Sequence, residues 1–362
     1  MSKKLFSETK LGNLTLKNHI VMAPMNRSRA IGNIPNELMA TYYAQRADAG
    51  LLITEGTSPS ANGLGYARIP GAFSAEQTEG WKLVTNAVHE KGGKIFLQIM
   101  HVGRVAHQAN LPEGGEIVGP SAISAEGDMW TDTEQMQKTP VPREMTKADI
   151  QQAIQEYVNS AINAIEAGFD GVELHGANGY LIDQFINTAS NQRTDEYGGS
   201  IENRSRFVLE VAQATADAIG KDKVGIRLSP YGVFNNMAIF PEVDDTYAHL
   251  AEELNKIGLV YIHLVNHSAM GAPEVPQTVV DRIRAAFKNT LILSGGYETE
   301  RAEQDLQGDA DLIAFGRPFI SNPDLVTRLQ EGLELAQPDQ DTFYTPGEKG
   351  YTDYKTAAET VA

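Results

Sequence analysis

Eight times along the 362 residues a short apolar, β-favouring run gives way to a longer segment whose apolar positions recur at helical spacing. That alternation builds βα units, and βα units in series pair their strands in parallel. The expected strands are Ile20–Met25, Leu51–Glu55, Lys94–Met100, Gly171–His175, Val224–Ser229, Leu259–Leu264, Leu291–Ser294 and Leu312–Phe315. The expected helices lie near Asn36–Asp48, Ala75–Lys91, Lys147–Ala167, Ile201–Ile219, Asp244–Ile257, Val279–Phe287, Glu298–Leu306 and Asn322–Glu331. Eight parallel strands close a TIM (β/α)8 barrel, whereas an open doubly wound sheet would carry a G-x-G-x-x-G turn after its first strand, and none stands there.

The punctuation agrees with these boundaries. Thr146 precedes Lys147 as an N-cap, and Gly168 and Gly258 follow the last apolar turns of their helices. Before the first strand, residues 11–18 alternate apolar and polar positions around Gly12-Asn13, the pattern of an N-terminal β-hairpin that plugs the barrel bottom. Long connections follow strands three and four, at His101–Met145 and Gly176–Ser200, both leaving the strand ends where barrel active sites form. The tail from about Gln337 is expected to wrap the surface, so that residues 1–362 form a single domain.

Composition narrows the chemistry. The chain has no cysteine, which excludes disulfides, thiol nucleophiles and iron–sulfur clusters, and no metal site is expected. Redox chemistry would need a bound organic cofactor or a metal held by ligands other than cysteine. A net charge of −17 argues against nucleic acid and anionic membranes as partners, and favours a monomer over a homodimer. No apolar run of signal or spanning length is expected to target the chain, which reads as cytoplasmic.

Polar residues cluster at the expected strand ends. Gly295-Gly296 after strand seven and Gly316-Arg317 after strand eight place backbone N–H groups and a guanidinium at the usual phosphate site of a barrel. Gln98 and Arg227 end otherwise apolar strands. An amide and a positive charge suit the pyrimidine edge of a flavin, where reduction leaves negative charge; the alternative is that Arg227 pairs with the buried acid Glu173. His175 and Asn178, three residues apart at a strand end, can both donate to one carbonyl or nitro oxygen, and Tyr180 carries a phenol suited to proton donation.

These segments resemble the Old Yellow Enzyme family, especially its bacterial ene reductases. The likeness runs through residues 18–29, Gly65-Tyr66, residues 97–104, 172–181 and 191–204, and Ala314-Phe315-Gly316-Arg317-Pro318. It implies FMN held by Ala23, Pro24, Met25, Asn26, Gly56, Gln98, Arg227, Gly295, Gly296, Gly316 and Arg317, with NADPH or NADH as reductant. It further implies that His175 and Asn178 grip an electrophilic alkene, that Tyr180 protonates its α carbon, and that Tyr66, Met100 and Tyr344 line the substrate mouth. Three departures stand out: Asn26 replaces the usual Thr or Cys, Met100 replaces a common Trp, and Val265–Ala272 matches poorly. The competing expectations are an FMN barrel of another oxidoreductase activity, toward nitro compounds or quinones, and a flavin-binding protein without turnover.

Overall fold

The computed structural model describes residues 3–361. An N-terminal hairpin, β1 (Thr9–Leu11) and β2 (Leu14–Leu16), turns at Gly12-Asn13, with Gly12 in the left-handed region at φ 54°. The barrel strands are β3 (Ile20–Met22), β4 (Leu51–Ile53), β5 (Ile95–Ile99), β10 (Gly171–Gly176), β11 (Val224–Leu228), β12 (Tyr261–Val265), β13 (Thr290–Ser294) and β14 (Leu312–Phe315). They pair in parallel in chain order, and β14 closes on β3.

All eight expected strands form, the last with the expected ends and the other seven with shifted ones. The first stops at Met22 instead of Met25: Ala23 N–H still donates to Phe315 O, but Pro24 has no N–H to continue the ladder. The sixth begins at Tyr261 instead of Leu259. The helix expected near Asn322–Glu331 forms as Leu325–Glu331, and an unexpected short helix, Pro318–Ser321, precedes it. The long connection after β5 carries its own hairpin, β7 (Asp128–Thr131) and β8 (Gln135–Lys138), and a short pair, β6 (Val118–Gly119) and β9 (Arg143–Glu144). The connection after β10 contains the unexpected short helix Leu181–Ile186.

The barrel interior changes character from bottom to top. Leu11 and Leu16 of the hairpin pack with Val21, Leu51, Phe96, Tyr261, Ile292 and Leu312, so the hairpin does plug the bottom. Two residues further along the same inward-facing rows stand Gln98, Arg227, His263 and Ser294, because side chains of one strand face alternate one by one. Gly225 makes this arrangement possible: a Cβ there would lie 2.2 Å from the Tyr261 ring. Outside, helices such as Lys147–Glu166, capped by Thr146 with a reciprocal Asp149 contact, bury an apolar stripe against the strands.

Candidate active site

The C-terminal ends of the strands surround a cavity of about 890 Å³. Its wall includes Ala23, Pro24, Met25 and Asn26 after β3, Gln98 of β5 and Met100 just past its end, His175, Asn178 and Tyr180 around the end of β10, and Arg227 of β11. Gly295, Gly296, Gly316 and Arg317 complete it beyond β13 and β14. Tyr66 and Tyr344 stand at its mouth, Tyr344 62% exposed. Gly56 lies behind this wall, where its N–H donates to Asn26 Oδ1 at 2.8 Å and a Cβ would meet Met100 Sδ at 2.4 Å.

Beneath the cavity floor Glu173 is fully buried. It accepts from Gln98 Nε2 at 2.8 Å, Tyr261 OH at 3.0 Å and His263 Nδ1 at 2.8 Å. Burial opposes its charge, but His263 and Arg227 hold the carboxyl below its ordinary range, so it stays ionised. Burial also keeps His263 neutral, with its proton on Nδ1 facing the acid. The polar positions Tyr261 and His263, two apart on an otherwise apolar strand, are the sequence signal for this network, and reading β12 by its period of two finds them.

Arg227 therefore does not pair directly with Glu173. Its Nε is buried without a hydrogen-bond partner among the described residues, and burial lowers its pKa while the nearby Glu173 charge acts against that shift. A buried guanidinium N–H aimed at no protein acceptor, beside an amide whose Nε2 is already committed, fits a bound group with electronegative edges. The residues present fit FMN on this observation.

The turn after β10 presents three proton-bearing groups. Ala177 N–H donates to His175 Nδ1 at 3.3 Å. Burial, followed by the charge of Arg227, holds the imidazole pKa well below its usual value, so His175 is neutral and its remaining proton sits on Nε2. Tyr180 OH donates to Tyr66 OH at 3.1 Å, and burial raises its pKa, which keeps it a phenol. The Asn178 N–H donates to Ser229 Oγ at 2.9 Å, and its carbonyl accepts from Asn235 Nδ2 at 2.7 Å. Asn178 and Gly179 both occupy the left-handed region, at φ 60° and 77°, and Gly179 N–H donates to the buried Asp183 at 2.8 Å. His267, from the poorly matching segment after β12, meets Asn178 Oδ1 through Nε2 at 2.7 Å.

Two outer elements shape the mouth. The β7–β8 hairpin contributes Met129, Trp130 and Met136 to the cavity, and the chain after Gln337 contributes Gln340, Phe343 and Tyr344. Arg29 donates to the carbonyls of Thr342, Phe343, Gly347 and Lys349, and Arg27 to those of Phe343 and Gly350. The tail thus forms a strap over the site as well as covering surface. Arg68 ties the pieces together, donating to Asp132 of the hairpin turn, to Ser28 O and to Tyr344 O.

A closed parallel barrel with this polar floor and donor-lined wall fits a flavin-dependent oxidoreductase, and similarity to known proteins shows that class. A profile of the NADH:flavin oxidoreductase / NADH oxidase family matches residues 4–336. 12-oxophytodienoate reductase 7 of Oryza sativa subsp. japonica is 42% identical, over 97% of this chain and 94% of the relative. A probable flavin mononucleotide-dependent alkene reductase of Leishmania infantum is 41% identical, over 95% of each. Morphinone reductase superposes with a TM-score of 0.95 at 42% identity, covering 100% of this chain and 98% of that one. The same enzyme in complex with tetrahydroNAD superposes at 0.92, with 43% identity over 97% of each chain. The chain belongs to the Old Yellow Enzyme family. It is an FMN oxidoreductase that uses a nicotinamide coenzyme to reduce activated alkenes.

Proposed function

We propose that this chain, acting as one FMN-binding domain, reduces α,β-unsaturated carbonyl, nitro or maleimide-type alkenes through a site built from His175, Asn178 and Tyr180. The observation that carries this reading is the gathering of those three uncharged proton-bearing groups on one wall, beside the unpaired Arg227. Bound FMN would supply the hydride chemistry, with NADPH or NADH as the source and the β carbon of the alkene as the acceptor. Ala23, Pro24, Met25, Asn26, Gln98, Arg227, Gly295, Gly296, Gly316 and Arg317 are the residues we assign to holding it, with Gly56 acting through Asn26.

His175 Nε2 and the Asn178 amide donate to the oxygen of the electron-withdrawing group and stabilise the negative charge that develops there. Because both donors are neutral, neither loses a proton to that oxygen in the process. The Tyr180 phenol gives its proton to the α carbon, and Tyr66 OH, its partner at 3.1 Å, holds the ring in place. Tyr66, Met100 and Tyr344 line the approach. The apolar rim of Met129, Trp130, Met136 and Phe343 suits substrates with ring systems larger than a simple enone, in keeping with the relatives named for 12-oxophytodienoate and morphinone.

The test is an anaerobic absorption spectrum of the purified protein before NADPH, after NADPH, and after 2-cyclohexen-1-one is added to the reduced sample. Flavin absorption is expected to bleach with the coenzyme and return with the enone. Bleaching without return would defeat the assignment of His175, Asn178 and Tyr180 to alkene reduction.

A further inference from the structure

An asparagine amide has two ends of nearly equal shape and opposite chemistry. To polarise a substrate oxygen Asn178 must present its NH2, since the carbonyl end would repel that oxygen. The backbone leaves little else to decide: Ser229 Oγ, Asn235 Nδ2 and the Gly179–Asp183 contact hold residues 178 and 179 in consecutive left-handed conformations. What remains free is rotation of the side-chain amide.

We infer that His267 is a positioning residue, whose Nε2–H holds Asn178 Oδ1 and so turns the amide NH2 toward the substrate oxygen. The inference rests on the ene-reductase reading of the site and adds to it a residue from a different strand connection. His267 is half-buried against the edge of the Phe234 ring, with centroids 4.5 Å apart, and its carbonyl accepts the Met270 N–H at 2.8 Å, which closes a tight turn. Burial, with Arg227 adding to it, pulls the imidazole down to about 4, so at neutral pH it carries a single N–H. The 2.7 Å contact places that proton on Nε2, the only arrangement in which two neutral side chains make this bond with Oδ1 as acceptor. Two histidines thus serve one oxygen: His175 by direct donation, and His267 through Asn178.

The experiment measures the dissociation constant of cyclohexanone, a ketone with no C=C bond to reduce, from its perturbation of the flavin spectrum of the FMN-loaded protein. The proteins are wild type, His267→Leu, His267→Gln, Asn178→Ala and the double variant His267→Leu/Asn178→Ala. Losing one oriented hydrogen bond weakens binding by about tenfold. The expected result is about a tenfold loss in His267→Leu, no further loss when that change is added to Asn178→Ala, and recovery in His267→Gln, whose amide N–H can replace the donor. FMN content and midpoint potential should stay at wild-type values throughout.

Wild-type affinity in His267→Leu would overturn the inference, as would losses that multiply in the double variant, since His267 would then act independently of Asn178. If His267→Leu does not retain FMN, His267→Phe, closer in volume and equally without a donor, is read by the same criteria. Failure of the wild type both to bind the ketone and to be reoxidised by an enone is a separate result, which removes the ene-reductase reading itself.

Discussion

At the residue scale the proposed site separates into groups assigned to the substrate and groups assigned to preparing them. With Tyr180 as the proposed proton donor, Tyr180→Phe is expected to slow reoxidation by 2-cyclohexen-1-one by about a hundredfold while flavin reduction by NADPH changes far less. Stopped-flow traces of the two half-reactions decide it, and equal slowing of both would remove Tyr180 as the proton donor. His175→Ala removes an oriented donor worth ~3 kcal/mol, so its kcat/KM for the same enone should fall by roughly a hundredfold. An unchanged kcat/KM would end the polarising role. These two residues and Asn178 were legible because one strand end and the turn after it carry all of them. His267 was not: it lies 89 positions from Asn178, in a loop with no periodicity to read.

Elements place these groups to within the tolerance the chemistry needs. The barrel strands were legible from their apolar runs, yet most of their ends moved, the first because Pro24 has no N–H to extend the ladder. The β7–β8 hairpin and the helix Leu181–Ile186 escaped because long connections hold few apolar repeats; the hairpin is tied to the strap through Arg68, and the helix packs on β10 and on the helix Ile201–Ile219. Within the barrel, the glycine at 225 is a packing requirement set by a ring on the neighbouring strand. Gly225→Ala puts a methyl 2.2 Å from the Tyr261 ring, and overpacking of this kind costs about 1–3 kcal/mol. A thermal melt of the FMN-loaded variant should show a lowered midpoint; an unchanged one would mean the ring yields without cost.

Over the whole molecule, buried titratable groups make stability depend on pH in two opposed ways. Burial raises Asp183 and Glu55 each to about 7, so between their unfolded values and 7 the folded form keeps protons that the unfolded chain releases. Their contribution is therefore greatest below the unfolded pKa and is lost as pH rises through about 7. Burial lowers His101 to about 3 and His267 to about 4, and their contribution runs the other way, present above the ordinary histidine value and lost as pH falls toward those lowered values. Asp183→Asn keeps an oxygen to accept the Gly179 N–H but cannot ionise. Denaturant titrations should show its stability improving relative to wild type between about pH 5 and about pH 8. A difference that stays constant across that range would show that Asp183 does not titrate there.

The number of βα units, the plugging hairpin and the grouping of His175, Asn178 and Tyr180 at one strand end are local properties of the chain, carried by periodicity, turn chemistry and short spacing, and sequence alone determined them. The choice between a paired and an unpaired Arg227 required the tertiary structure, because it depends on whether His263, Tyr261 and Gln98 reach Glu173 first. The strap clamped by Arg27 and Arg29, and the bond from His267 to Asn178, were decided there as well. Each joins residues far apart in the chain, and only a closed barrel, by fixing where every strand ends, brings them within a hydrogen bond of one another.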